Sequence, residues 1–248
     1  MENEPQKKPD QKLALITGAA QRIGRALAEH LAAKGWSLAI HFNRSENKAL
    51  ALSDTLQKQF PNQTFMVFKA DLSYNQEVEN LLPRVIGKMG KPELLINNAS
   101  VFEPGTIAQT SSLFFERMVR INLNAPFLLL RDFANLCLKG TIVNLVDTRI
   151  TTNQPNFAAY TLSRKMLWEL TKMAAMEFGP EIRVNAIAPG LTLPPEGKNE
   201  DYLLNLAGKI PMKRPGGIKP LLQSLDYIIE NEFLTGQILY CDGGENLI

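Results

Sequence analysis

Along the chain, short runs of apolar and β-branched residues recur between longer stretches whose apolar positions repeat at helical spacing. LALIT at 13–17, SLAIHF at 37–42, TFMVFK at 64–69, ELLIN at 93–97, TIVNLV at 141–146, RVNAIA at 183–188 and QILYC at 237–241 predict seven strands. Helical patterns fill most of the gaps, among them 22–34, 47–58 and 75–89. Strands that alternate with helices in this way pair in parallel, because each crossover helix returns the chain to the same edge and covers a face of the sheet. The expected fold is therefore a doubly wound α/β sheet. One stretch breaks the rhythm: 191–220 follows the sixth strand with five prolines, four glycines and a short helical piece at 201–208. A segment placed beyond the carboxyl end of a strand suits a mobile substrate lid.

Composition narrows the function classes. The 248 residues are 45% apolar, enough for one large core, and 27 basic against 25 acidic residues leave a net charge of +2. That balance, without blocks of like charge, gives no footprint for nucleic acid and points to a small-molecule partner. No apolar run is long enough to span a bilayer, and the polar residues 1–11 are expected to form a flexible tail rather than a leader, so a cytoplasmic protein is expected. Cys137, Cys241, His30 and His41 fit no disulfide framework or metal site; both cysteines are expected to be ordinary buried thiols.

The candidate chemistry begins after the first strand, where TGAAQRIG (17–24) opens directly into a helix. Unpaired backbone N–H groups and the positive end of the helix dipole make such a turn a pyrophosphate site. At the end of the second strand, HFNRS (41–45) offers Arg44 and Ser45 where an NAD site carries an acid for the ribose 2′-hydroxyl. With Arg22 as a second guanidinium, the arrangement favours a 2′-phosphate and hence NADPH. His41 reads equally as a buried strand residue or a phosphate contact.

With these motifs stand ADL (70–72), NNAS (97–100), Asn122 in RINLNAPF, Tyr160 in YTLSRK, PG (189–190) and DGG (242–244). Together they resemble the short-chain dehydrogenase/reductases over nearly all of 13–244, and within that superfamily the chain is most similar to pteridine reductases. The resemblance implies one Rossmann-like domain over 12–248 with a seven-stranded parallel sheet flanked by helices. It implies an NADPH site of Gly18, Arg22, Ile23, Gly24, Asp71 at the adenine, Leu72, Asn98, Ala99, Ser100, Tyr160, Arg164, Pro189 and Gly190. It further implies catalytic roles for Asp147, Tyr160, Arg164 and Asn122.

Two features point toward pterins. Asp147 stands where most of the superfamily carries serine, and Phe102 in NNASxF is the aromatic residue that would sandwich a flat pterin against nicotinamide. Ser100, Phe102, Asp147, Tyr160 and Leu191 are thus the candidate substrate residues, with Leu193 nearby in the lid. The expected reaction reduces a C=N bond of dihydrobiopterin, dihydromonapterin or dihydrofolate, Tyr160 acting as general acid with Asp147. Another NADPH-dependent ketone or 3-oxoacyl reductase, and an NADPH-binding protein without turnover, are the alternatives.

The superfamily pairs tyrosine with lysine four residues on; here that place holds Arg164, and Lys165 follows. Residues four apart share a helix face, whereas five apart are rotated by about 140° from alignment, so Arg164 is expected beside the phenol and Lys165 elsewhere. A fixed cation is expected to bring the phenol down from ~10, full adjustment to neutrality requiring roughly 4 kcal/mol. Arg214 reads as a solvated loop charge. The helix at 158–177, apolar around most of its girth, suggests a subunit contact, and by resemblance a homotetramer.

Overall fold

The computed structural model describes residues 12–195 and 197–248, so the tail expected at 1–11 lies outside the described residues. In chain order the strands are β1 (Leu13–Ile16), β2 (Ser37–Phe42), β3 (Phe65–Lys69), β4 (Leu94–Asn97), β5 (Gly140–Leu145), β6 (Ile182–Pro189) and β7 (Ile238–Cys241). The helices are α1 (Arg22–Ala33), α2 (Glu46–Gln59), α3 (Asn75–Met89), α4 (Ser112–Val119), α5 (Ala125–Cys137), α6 (Ala158–Phe178), α7 (Glu200–Ala207) and α8 (Lys219–Glu230). All the strands pair in parallel in the order β3-β2-β1-β4-β5-β6-β7. The predicted strands are all present, with edges shifted by a residue where the ladder ends before or after the apolar run. The helical piece expected at 201–208 is α7, and the last two residues of the expected lid, Lys219 and Pro220, already belong to α8, where proline is tolerated because its missing N–H lies in the first turn.

Successive side chains of the strands alternate between two apolar layers, as the two-residue period requires. Ile16 and Ile40 face Leu27 and Leu31 of α1, Leu52 of α2 and Leu225 of α8 on one side. Leu15 and Leu95 face Val78 and Leu82 of α3, Leu129 and Phe133 of α5 and Ala174 of α6 on the other. Each such fully buried leucine, isoleucine, valine or phenylalanine side chain contributes about 1.5–3 kcal/mol.

α6 turns Tyr160, Arg164, Leu167, Thr171 and Ala174 inward, a three-to-four-residue spacing that defines one face. A buried polar chain fixes this helix under the sheet: Asn97 Nδ2 donates to Asn144 Oδ1 (2.8 Å), Asn144 Nδ2 to Thr171 Oγ1 (2.9 Å), and Thr171 Oγ1 to the Leu167 carbonyl (2.8 Å). On the far side Leu162, Met173 and Met176 are exposed. Strand order reverses between β1 and β4, and the crevice outside their carboxyl ends is where an open parallel sheet binds ligands.

Candidate active site

A groove of about 650 Å³ opens at that crevice. Gly18 after β1, Arg22, Ile23 and Gly24 at the start of α1, and Asn98, Ala99 and Ser100 after β4 line it, as expected from the sequence. Gly18 adopts φ +63, and its face rests on the Ala99 Cα, 3.1 Å from where a side chain would begin. Asn98 staples the turn, its Nδ2 donating to the carbonyls of Thr17 (2.9 Å) and Gly18 (3.1 Å), while Thr17 Oγ1 accepts from the Asn98 and Ala99 N–H groups. No side chain caps α1 and no acid occupies its first turn, which leaves the helix start open to an anion.

Arg22 is held in a left-handed conformation (φ 54) that residues with a Cβ rarely adopt. Its Nη2 donates to the carbonyl of Pro194, 2.8 Å away in the segment after β6, so the glycine turn and the expected lid are joined directly.

At the other end of the groove lie Arg44, Ser45, Asp71 and Leu72. Burial opposes the Asp71 charge, but hydrogen bonds from the Ser73 N–H (2.9 Å) and Oγ (2.7 Å), from Asn43, and the nearby Arg44 guanidinium hold its carboxyl below the usual range. His41 borders the groove, yet both its nitrogens are engaged inside the protein: Nδ1 accepts from the Gly18 N–H (3.0 Å) and Nε2 donates to the Ala70 carbonyl (3.0 Å). Of the two readings of His41, these bonds favour the buried strand residue, a neutral brace under the glycine turn.

Burial lowers the His41 pKa to about 4. The unfolded chain binds a proton near ~6.5, so the contribution of this histidine to stability is fully present above that pH and is lost as pH falls toward the folded value. Between pH 7 and pH 5 the loss is expected to be about 2 kcal/mol. Urea midpoints at both pH values should show it, and His41→Gln should flatten the slope.

Tyr160 contacts a residue of the groove and a residue of a second chamber of about 380 Å³. Its ring makes a T-shaped contact with Phe102, a groove residue, with centroids 4.7 Å apart and an interplanar angle of 81°. Its hydroxyl donates to Asp147 Oδ2 (2.8 Å), and Asp147 lines the chamber. Asp147 also caps the 3-10 turn Thr148–Thr151, Oδ1 accepting from the Arg149 N–H (2.8 Å).

Arg164, one helical turn after Tyr160, lies with Cζ 5.4 Å from the phenol ring and is only 2% exposed. Lys165 points away and donates to Asn153 Oδ1 (2.6 Å). The helical geometry is as predicted, but its electrostatic outcome is not. Burial, and next the Asp147 charge, push the Tyr160 hydroxyl above its ordinary value, and Arg164 offsets only part of this. The resting phenol is protonated and serves as a donor.

Other expected residues are relocated. Asn122 sits in the π-helical turn Arg120–Asn124 and is fully buried. Its Nδ2 donates to the Val101 carbonyl (3.0 Å) and Ser163 Oγ (3.1 Å), and its Oδ1 accepts from the Val101 N–H (3.0 Å). It positions the loop after β4 against α6. Pro189, Gly190 and Leu191 line the second chamber. Arg164 reaches the lining of neither cavity, and Arg214 lines neither. Cys137 is buried and Cys241 half-buried; both are free, and burial raises both thiols to about 11, so they are unreactive.

Sequence reasoning missed Phe157 and Arg149. Phe102 stacks on Phe157 with centroids 4.6 Å apart and planes 9° apart, and the Arg149 Cζ lies 5.1 and 5.2 Å from the two rings. One face of Phe102 is thus already taken by the protein. The available signal was proximity alone: Arg149 is two residues from Asp147 and Phe157 three from Tyr160.

A nicotinamide dinucleotide fits these residues. The glycine cradle would be filled by a Cβ, since one on Gly24 would lie 2.1 Å from the Gly18 carbonyl oxygen. Arg164 keeps a buried Nε without a hydrogen-bond partner, one helical turn after Tyr160. Among the described residues no cluster could hold a metal ion, and no helix is long and apolar enough to cross a membrane.

Comparison with known proteins agrees with this geometry. The family described as short chain dehydrogenase matches residues 12–201. Pteridine reductase 1 of Leishmania tarentolae is 28% identical, the match covering 96% of this chain and 98% of that protein. Glucose 1-dehydrogenase of Gluconobacter oxydans is 29% identical over 95% of this chain and 92% of that protein. The crystal structure of FolM Alternative dihydrofolate reductase 1 from Brucella canis, complexed with NADP, superposes with a TM-score of 0.88 at 33% identity, covering 96% of this chain and 95% of that one.

Proposed function

The chain belongs to the short-chain dehydrogenase family, and from that premise we propose that it reduces a dihydropterin, dihydrofolate included, with NADPH. The observation that carries this reading is the 2.8 Å hydrogen bond from Tyr160 to Asp147 beside the Phe102 ring. An aspartate at this point can accept from and return a proton to the phenol, and also face the polar edge of a flat heterocycle, which a serine does less well. The names of the Leishmania and Brucella relatives support the same substrate class.

Bound NADPH supplies the hydride; the protein supplies everything else. The start of α1 and the Gly18–Gly24 cradle would receive the pyrophosphate, Asp71 the adenine, and Arg44 the 2′-phosphate. Phe102 offers its remaining face to the substrate ring. Tyr160, kept protonated by burial, gives its proton to the ring nitrogen, and Arg164 steadies the phenolate left behind. Leu162, Met173 and Met176 support an assembly of identical subunits through α6, with a homotetramer as the expected size by light scattering.

The test is NADPH oxidation by the purified protein on dihydropterins, dihydrofolate and an acetoacetyl thioester, with NADH in parallel. Turnover confined to the thioester would replace the pterin assignment, and absence of turnover with tight NADPH binding would show a binding protein. Arg44→Ala should raise the Kd for NADPH about 10- to 100-fold, the worth of a charge-assisted hydrogen bond, with little change for NADH. Equal losses measured by fluorescence titration would remove Arg44 from the 2′-phosphate.

A further inference from the structure

The reduction proposed above consumes one proton per turnover, and the phenol that gives it is 5% exposed. Its neighbours on the helix side cannot replace that proton. A guanidinium such as Arg164 does not deprotonate in proteins. Ser163 Oγ is committed to the Tyr160 carbonyl (2.6 Å), and the Asn122 amide is held by Val101 and Ser163. Asp147 is the remaining titratable partner of the hydroxyl, and it opens away from α6 into the second chamber.

Glu245 stands in the wall of that same chamber. It begins the C-terminal 3-10 turn Glu245–Leu247, which packs against the 3-10 turn Thr148–Thr151 that Asp147 caps. Asp242 pins the two turns together: its Oδ2 accepts from Thr148 Oγ1 (2.6 Å) and the Asn246 N–H (2.8 Å), and its Oδ1 from the Gly244 N–H (3.0 Å). The Glu245 carboxyl itself has no hydrogen-bond partner among the described residues, so it is free to exchange a proton.

We infer that Glu245 is a proton-relay residue, taking a proton from solvent in the second chamber and passing it through Asp147 to Tyr160. The relay rests on the reductase reading above. The Asp147 carboxylate, which accepts from the Tyr160 hydroxyl at rest, takes a proton from Glu245 through the solvent of the chamber; when the Tyr160 O–H bond breaks and the substrate N–H bond forms, Asp147 passes that proton to the phenolate, and Glu245 is reprotonated by solvent. No electrons move in this chain, because both travel with the hydride.

The charged groups around Glu245 are suited to the task. Burial raises its carboxyl, Arg149 opposes this, and Asp147 and Asp242 reinforce it. Lys209 lines the chamber from the segment after α7.

Two measurements test the relay. Glu245→Gln should lower kcat about 10- to 100-fold with KM and NADPH affinity unchanged, enlarge the solvent deuterium isotope effect on kcat, and regain rate in formate buffer, as loss of a proton-transfer group requires. Glu245→Asp should fall between the two. Wild-type kcat and isotope effect in Glu245→Gln, or a loss that small acids do not restore, would overturn the relay.

The second measurement needs no substrate. In carbon-13 NMR of glutamate-labelled protein, the carboxyl signal absent from Glu245→Gln should titrate above an ordinary carboxylate, and its midpoint should drop in Asp147→Asn. A midpoint indifferent to Asp147 would overturn the relay. Inactivity of the wild type on every dihydropterin would instead overturn the function proposed above.

Discussion

Tyr160→Phe is expected to reduce turnover about 10²- to 10⁴-fold, the usual worth of a positioned acid, while NADPH still binds. The phenol is buried, its ring against Phe102 of the groove and its hydroxyl bonded to Asp147 of the chamber. Phenylalanine keeps the ring contact with Phe102 and removes only the donor. Steady-state assays with a parallel NADPH titration check this, and turnover within a few-fold of wild type would take the acid role from Tyr160. Asp147→Asn should cost less alone. It should add little on top of Tyr160→Phe, because groups acting as one unit lose their effects together.

Gly24→Ala should act on the cofactor rather than on the chemistry. A Cβ there would lie 2.1 Å from the Gly18 carbonyl oxygen, 2.7 Å from Asn98 Nδ2 and 2.9 Å from the Ala19 Cα, and two of these three are backbone atoms that cannot swing aside. The turn must move, taking with it the Asn98 staple and the backbone that His41 braces. Overpacking of this kind costs about 1–3 kcal/mol of stability. The displaced N–H groups should weaken NADPH about 100-fold or more, equivalent to about 2.7 kcal/mol. Gly87→Ala is the control: nothing lies within 4 Å of a Cβ at this exposed position in α3, so it should gain up to about 1 kcal/mol and leave cofactor binding alone. Urea unfolding and fluorescence titration separate the two effects, and unaltered NADPH affinity in Gly24→Ala would show that the cradle does not hold the pyrophosphate.

The sequence by itself determined the strands, their parallel pairing, the glycine turn and the shared face of Tyr160 and Arg164. These features are legible because they depend on side-chain period and local turn geometry, which neighbours in the chain impose on one another. Tertiary structure decided which groups remain available for chemistry. His41 looks free in a strand until Gly18 and Ala70 take its two nitrogens. Arg22 looks committed to phosphate until the carbonyl of Pro194 arrives from the segment after β6. Phe157 closes one face of Phe102, and burial, with Asp147 second, reverses the shift expected of Tyr160 from its cation alone. Glu245 enters the site only because the C-terminal turn packs on the loop after β5. Periodicity carries no information about such meetings, since charge, burial and hydrogen bonding at a point are set by every segment that packs there.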